Sequence, residues 1–123
     1  MAARTARAGE RRDPCGRLRT RAEFEAVFKS GRRASGRFLT VVIRPNALAV
    51  ARLGIVASRK LGGAVQRNRA KRRIREIFRR LRQEPFAAGR DIVVIPRREL
   101  LDAAFAALET DYQSVLRREA RRR

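Results

Sequence analysis

The sequence has no histidine and no tryptophan, and only one cysteine among its 123 residues. Without histidine the chain cannot build a Ser-His-Asp or Cys-His catalytic site, and it lacks a common ligand of zinc. The twelve acidic residues are scattered and show no spacing typical of metal ligands. We therefore expect the protein itself to bind no metal or other cofactor and to contribute no catalytic side chain.

Long apolar runs are also missing. No stretch approaches the roughly 20 apolar residues that a membrane-spanning helix needs, and residues 1–19 lack the apolar centre of a secretory signal. Cys15 stands alone and cannot form an internal disulfide, which suits a reducing compartment. These features predict a cytoplasmic protein with no membrane partner.

Positive charge is what the sequence has in excess. Lysine and arginine total 32, the formal net charge is +20 and the isoelectric point is about 12.0. Such a chain is expected to bind polyanions. Hydrophobic residues make up 44% of the chain, enough for one modest core. We predict a disordered basic arm at 1–17, a single RNA-binding domain at 18–118 and a basic tail at 119–123.

Apolar periodicity and turn residues divide the domain into helices and strands. Thr20 and Glu23 form a capping-box pattern, Gly31 ends the first helix, and Asp102 is the predicted N-cap of the last. The predicted elements are a helix at about 21–30, strands at 37–44 and 52–58, with room for a further short strand before Arg37, a helix at 66–82, a strand at 91–96 and a helix at 103–118. This order predicts an α+β fold with helices on one face of a largely antiparallel sheet. The strands on either side of the helix at 66–82 are predicted to be parallel neighbours.

The segment "QRNRAKRRIREIFRR" (66–80) carries the strongest signal. On a helix its apolar residues form one stripe, which argues against an unstructured charge run: Ala70, Ile74, Ile77, Phe78 and Leu81. One exposed flank is predicted to hold Asn68, Lys71, Arg72, Arg75, Arg79 and Arg82, and another Arg69, Arg73 and Arg80. The simplest interpretation is a solvated basic face. We favour nucleic-acid binding, because cations in the first two turns repel the helix dipole and a bound phosphate backbone would reverse that repulsion.

Two neighbouring features have alternative interpretations. The loop with Ser58, Arg59 and Lys60, followed by Gly62-Gly63, is either a flexible turn or part of the same phosphate site. Phe24 and Phe28, at helical spacing, are either core residues or a stacking platform for single-stranded bases. The sequence leaves both questions open.

The stretch "LGIVASRKLGGAVQRNRAKRRIREIFR" (53–79) resembles the protein subunit of bacterial ribonuclease P, with "RNRAKRRIRE" as the core of the match. "EFEAVFKSG" (23–31) is similar to the opening helix of that family, and "GRDIVVIPR" (89–97) is similar to its later strand. The resemblance covers about residues 18–117. It implies an αβββαβα sandwich, similar to that of some ribosomal proteins, with a left-handed crossover between parallel strands where right-handed is the general rule.

The resemblance also implies a function and its residues. In that family a catalytic RNA, with magnesium held by the RNA and its substrate, removes the 5′ leader of precursor tRNA, and the protein binds both RNAs and no DNA. Residues carried over as contacts to the catalytic RNA are Arg67, Asn68, Arg69, Lys71, Arg72, Arg75 and Arg79. Residues carried over as contacts to the leader are Phe24, Phe28, Val41, Ser58, Arg59 and Lys60. Val41 stands where some relatives have an aromatic residue, which weakens the expectation of base stacking on the sheet.

The sequence leaves three alternative functions to weigh. A structural RNA-binding protein of ribosomal type shares the size and charge but needs no cleft beside the basic helix. A stand-alone nuclease would need an acidic or histidine constellation that the sequence lacks. A DNA architectural protein is disfavoured by the α+β pattern.

Overall fold

The computed structural model describes residues 16–121. Its main elements are α1 (Arg21–Ser30), β1 (Arg32–Ser35), β2 (Leu39–Pro45), β3 (Arg52–Ile55), α2 (Ala64–Leu81), β4 (Arg90–Pro96) and α3 (Phe105–Arg121). Short 3-10 turns at Arg59–Leu61 and Arg98–Leu101 precede α2 and α3. The predicted order is confirmed, including the short strand before Arg37. Cys15 and residues 1–15 of the predicted arm lie outside the described residues.

The four strands form one mixed sheet in the order β1-β2-β4-β3. β2 pairs antiparallel with both β1 and β4, whereas β3 runs parallel to β4. The helix between β3 and β4 is α2, so the predicted parallel pair joined by the basic helix is confirmed. The left-handed sense of this crossover stays a prediction from the resemblance.

Alternation along β2 divides the core between the two faces of the sheet. Leu39, Val41 and Ile43 belong to a large cluster with α2 and α3. Val42 faces the other way, into a smaller cluster that includes Val27 of α1. The α+β class is confirmed, but the expectation that all helices lie on one face is wrong. α1 has an apolar side of its own and covers the opposite face.

Several predicted ends shift for local reasons. α3 begins at Phe105, two residues later than predicted, and Asp102 is the C-cap of the preceding 3-10 turn rather than the N-cap of α3. α3 then continues to Arg121, and Glu119 is buried. Gly31 ends α1 as predicted, although its φ of −86° needs no glycine. A β-carbon there would lie 2.5 Å from the carbonyl oxygen of Val27, so close approach explains the residue.

A buried carboxylate holds the strand ends together. Asp91, at the start of β4, is fully buried and accepts two hydrogen bonds from Arg52 of β3, at 2.8 Å from Nε and 2.9 Å from Nη2. Asn46, just after β2, donates its side-chain amide to Asp91 at 3.0 Å, and Arg44 lies 3.8 Å away. Arg52 also lies 3.6 Å from the carboxylate of Glu23 in α1. One ion network therefore joins β2, β3, β4 and α1.

The network sets the ionisation of Asp91. Burial opposes the charged form, but the hydrogen bonds from Arg52 and Asn46 outweigh it and hold the pKa of Asp91 below its usual 3.8. A carboxylate whose pKa is lowered by folding stabilises the folded state at pH values above its unfolded pKa. That stabilisation is lost as the pH falls through the folded-state pKa.

We predict that Asp91→Asn lowers the free energy of unfolding at neutral pH by about 3 kcal/mol, because it leaves the partly buried Arg52 without its counter-ion. The same variant should lose less stability than the unmodified chain as the pH falls from about 5 into the acid range. Urea unfolding across pH measures both effects. Asp102→Asn, at an exposed position, is the matched control and should change neither; equal losses from the two variants would contradict the assignment.

Candidate nucleic-acid interface

α2 docks on the sheet by the apolar stripe that the sequence predicts. Its buried residues are Ala70, Ile74, Ile77, Phe78 and Leu81. All belong to the large core cluster under α2 and α3. The helix is therefore an ordered surface, and its charged residues have defined positions.

One flank of α2 serves the fold. Arg73 donates hydrogen bonds to the carbonyl oxygens of Leu100 and Leu101 at 2.9 Å and of Ala103 at 2.6 Å. Arg80 lies 3.6 Å from Glu109 of α3 and over the ring of Phe105. These arginines bind α3 and the segment that leads into it, although Arg80 remains exposed.

The other flank faces solvent. Asn68, Arg72 and Arg75 are exposed, as is Arg69, whereas Arg67 is half-buried and lies 3.5 Å from the carbonyl oxygen of Gly62. Arg79 is also exposed, but it pairs with Glu76 at 2.6 Å within the helix. Of the carried-over residues, Arg69 lies on the flank of Arg73, one turn before it. On the solvent-facing flank Arg79 is partly neutralised, whereas Arg72 and Arg75 are not.

This flank meets the β3 edge of the sheet. Lys71 and Arg75 line a pocket of about 120 Å³ together with Leu53, Ile55 and Arg17. Arg17 lies beside β3 through a parallel bridge to Leu53. The sequence places Arg17 in the arm and offers no signal that it joins the basic surface, because the contact depends on the chain before α1 extending the sheet.

The loop before α2 is ordered. The Ser58 hydroxyl accepts a hydrogen bond from the Lys60 amide at 3.3 Å, and Leu61 is buried beneath the 3-10 turn. Gly62 has φ +128°, in the region that favours glycine. This local geometry defines the turn, and its role in a phosphate site stays a prediction. The loop presents three exposed side chains, those of Ser58, Arg59 and Lys60, before the start of α2.

The first turn of α2 is open to an anion. Its N-cap is Gly63, which has no side chain to accept a hydrogen bond from the turn, and the turn contains no acidic residue. The Gln66 side chain accepts from the Gly63 amide, at 3.0 Å. Helix dipole and basic side chains therefore act in the same direction on a phosphate here.

The two phenylalanines of α1 differ in their surroundings. Phe24 packs against β3, where a β-carbon on Gly54 would lie 2.7 Å from its Cε2 atom. Phe28 is 40% exposed. Phe24 is thus half-buried and packs on the sheet, and Phe28 is the more exposed of the two. Contact of either ring with a leader stays a prediction.

Val41 cannot contact a leader in this structure. Its side chain has no exposed surface and lies in the cluster covered by α2 and α3, on the face opposite to α1. The expectation that Val41 belongs to the leader site is therefore corrected. Alternation in β2 places Thr40 and Val42, rather than Val41, on the side of α1.

Residues 16–121 contain neither a metal-ligand cluster nor a membrane-spanning helix. No group of three or more histidine, cysteine or acidic side chains is arranged to hold a metal ion there. None of the helices in this part of the chain is long and apolar enough to cross a membrane.

The chain is similar to known proteins over most of its length. A family model described as Ribonuclease P matches residues 13–120. The ribonuclease P protein component of Thermotoga maritima is 48% identical over 84 residues, covering 68% of this chain and 71% of that protein. The corresponding protein of Syntrophomonas wolfei is 38% identical over 106 residues, covering 86% and 88%. A solved structure of the Thermotoga maritima protein superposes with a TM-score of 0.73 at 39% identity, covering 83% of this chain and 96% of that one.

We predict unequal stability effects for the two phenylalanines. Phe24→Ala should lower the free energy of unfolding by about 3 kcal/mol, because it removes a ring packed between α1 and β3. Phe28→Ala should lower it less, by about 1–2 kcal/mol, because the ring is 40% exposed and buries only part of its apolar area. Chemical denaturation measures both, and a larger loss for Phe28 would reverse the assignment of their positions.

Proposed function

The chain belongs to the bacterial ribonuclease P protein family, the protein component of a tRNA-processing endoribonuclease, and from this membership we propose how it acts. The exposed flank of α2 binds the catalytic RNA. The α1 face of the sheet, where Phe24 packs and Phe28 is exposed, binds the 5′ leader of precursor tRNA together with the loop at 58–60. The chemistry belongs to the RNA, with magnesium held by the RNA and its substrate in the bacterial cytoplasm.

The arrangement of α2 is the observation that carries the first part of this proposal. Arg73 and Arg80 bind other parts of the protein. Arg72 and Arg75 are exposed, and among residues 16–121 neither forms a hydrogen bond or an ion pair with an acid or a carbonyl group. An exposed row of unneutralised cations beside an uncapped helix start suits a phosphate backbone. Arg79 contributes less, because Glu76 already pairs with it.

The second part is supported by the separation of the two surfaces. α2 and α1 lie on opposite faces of the sheet, and the loop at 58–60 lies between the end of β3 and the start of α2. This layout supports the proposal because two separate faces allow one RNA to bind at α2 and a different strand at α1. Since the sequence contains no histidine, acid–base chemistry by imidazole is excluded, which is consistent with a supporting role.

Cleavage of a precursor tRNA by the matching catalytic RNA at low magnesium tests the function as a whole. We expect the protein to stimulate cleavage, because its cations reduce the repulsion between the RNA and its substrate. The protein without the RNA should not cleave. Cleavage by the protein alone would show that the chemistry does not belong to the RNA.

We predict that Arg72→Ala combined with Arg75→Ala weakens assembly with the catalytic RNA and leaves the thermal unfolding temperature almost unchanged. If the α2 surface makes about six phosphate contacts, log K against log salt should slope at roughly −4 to −5, and the double variant should reduce that slope by about 1.5. A filter-binding salt titration measures it. The control is Arg98→Ala with Arg121→Ala, which removes two exposed charges outside α2; an equal change in slope would mean that only net charge matters.

We predict that Phe28→Ala weakens binding of leader-bearing precursor tRNA to the assembled enzyme by roughly 1–3 kcal/mol, the range for loss of one base stacked on an aromatic ring. Binding of tRNA without a leader should not change. Leu48→Ala removes another exposed apolar side chain, 49% exposed in the loop after β2, and serves as the control. Equal losses with and without the leader would place Phe28 outside the leader site.

A further inference from the structure

α1 crosses the sheet from one edge to the other. Near its start, Phe24 packs on Gly54 of β3 and Glu23 lies 3.6 Å from Arg52 of the same strand. At its end, Gly31 alone separates α1 from β1. Because β3 and β1 are the two edges of the sheet, the line from Phe24 to Phe28 points from the β3 edge towards the β1 edge.

β1 places one of its two arginines on the α1 face. Arg33 stands opposite Val42, whose side chain belongs to the cluster under α1. Residues directly opposite in an antiparallel pair have side chains on the same face, so Arg33 lies on the α1 face, and it is exposed. Arg32 stands opposite Ile43 and therefore lies on the other face.

The corner where α1 meets β1 is consequently basic. Lys29, in the last turn of α1, is exposed beside Phe28, and Ser35 follows Arg33 on the same face of β1. Among residues 16–121, neither Lys29 nor Arg33 forms an ion pair with an acid. Two cations and a hydroxyl thus lie at the β1 end of the line that runs from Phe24 to Phe28.

We infer that Arg33 and Lys29 bind phosphates of leader nucleotides that lie farther from the cleavage site than the one stacked on Phe28. The inference rests on the proposed function. The α2 flank that contacts the catalytic RNA meets the β3 edge, so the cleavage site lies on that side. A leader that follows α1 leaves the protein at β1, three strand spacings or about 14 Å away.

An exposed arginine on an edge strand can also act between protein chains. Charged side chains at such an edge prevent pairing with other chains, and an open edge can pair with a second copy. Part of this edge is already covered, because Arg118 of α3 donates a hydrogen bond to the carbonyl oxygen of Ser35 at 2.8 Å. The edge is therefore partly blocked against pairing with a second chain, and its positive charge favours the negatively charged leader as the ligand.

The test compares Arg33→Thr with Arg32→Thr in the reconstituted enzyme. Both variants remove one charge from β1 and keep a residue suited to a strand, but they act on opposite faces. The substrates are precursor tRNAs that differ only in leader length, increased one nucleotide at a time. Affinity is measured by salt titration for each length, and sedimentation measures the oligomeric state of the free protein.

We expect the affinity of the unmodified enzyme to rise with leader length until the leader has passed β1. Arg33→Thr should remove the last part of this rise and reduce the salt slope by about 0.7 for long leaders only, the value for one single-strand phosphate contact. Arg32→Thr should leave the length dependence unchanged. When Lys29→Gln is added to Arg33→Thr, the affinity should stop rising at a still shorter leader.

Equal weakening of short leaders, or of tRNA without a leader, would overturn the inference, as would an equal effect of Arg32→Thr. A dimer that appears or dissociates on Arg33→Thr, with leader affinity unchanged, would assign this edge to pairing between chains. If Phe28→Ala weakens leader binding and Arg33→Thr does not, only this inference fails. If Phe28→Ala has no effect at any leader length, the proposed leader site itself fails.

Discussion

The buried pair of Asp91 and Arg52 is the constraint on which the functional surfaces depend. It joins β4 to β3, the strands that flank the α2 crossover. Through Glu23 it reaches the start of α1, because Arg52 is within 3.6 Å of that carboxylate. The relative position of the two proposed RNA-binding sides thus follows from one carboxylate that must stay ionised. Removing Arg52 would leave the buried Asp91 carboxylate without its closest cation, which costs more than the intact pair contributes.

Several of the few acidic residues in this basic chain form contacts between neighbouring elements of the fold. Besides Asp91 and Glu23, Asp111 of α3 accepts hydrogen bonds from the amides of Arg37 and Phe38 at 2.9 Å and holds the turn between β1 and β2. Glu109 holds Arg80 against α3. These acids lie at joints between elements, so the fold is stabilised there while the exposed cations of α2 remain available to an anion.

α2 shows how a helix with an unfavourable charge distribution stays folded. Its cations repel one another, and those in the first two turns also repel the helix dipole, whereas Arg79 and Arg80 in the last turn interact favourably with it. The stripe from Ala70 to Leu81 docks the helix by burial, and Arg73 ties it to the segment before α3. The repulsion persists in the free protein. When phosphates bind, the same cations are attracted to them and the repulsion is relieved. Stability and the proposed RNA binding thus use different flanks of the same helix.

Residue spacing along single helices and strands was enough to predict the order of the elements, the capped start of α1, the docking stripe of α2 and its basic flank. The motif at 67–75 also identified the family. Four features depend on packing between distant segments instead: α1 lies opposite α2 and α3, Val41 is buried, Phe24 packs while Phe28 is exposed, and Arg17 joins the α2 surface. Periodicity shows that a strand or helix has two sides, but which neighbour covers each side depends on strand order and register. Those contacts join residues far apart in the chain, and they settle which of several chemically similar arginines faces the protein and which faces solvent.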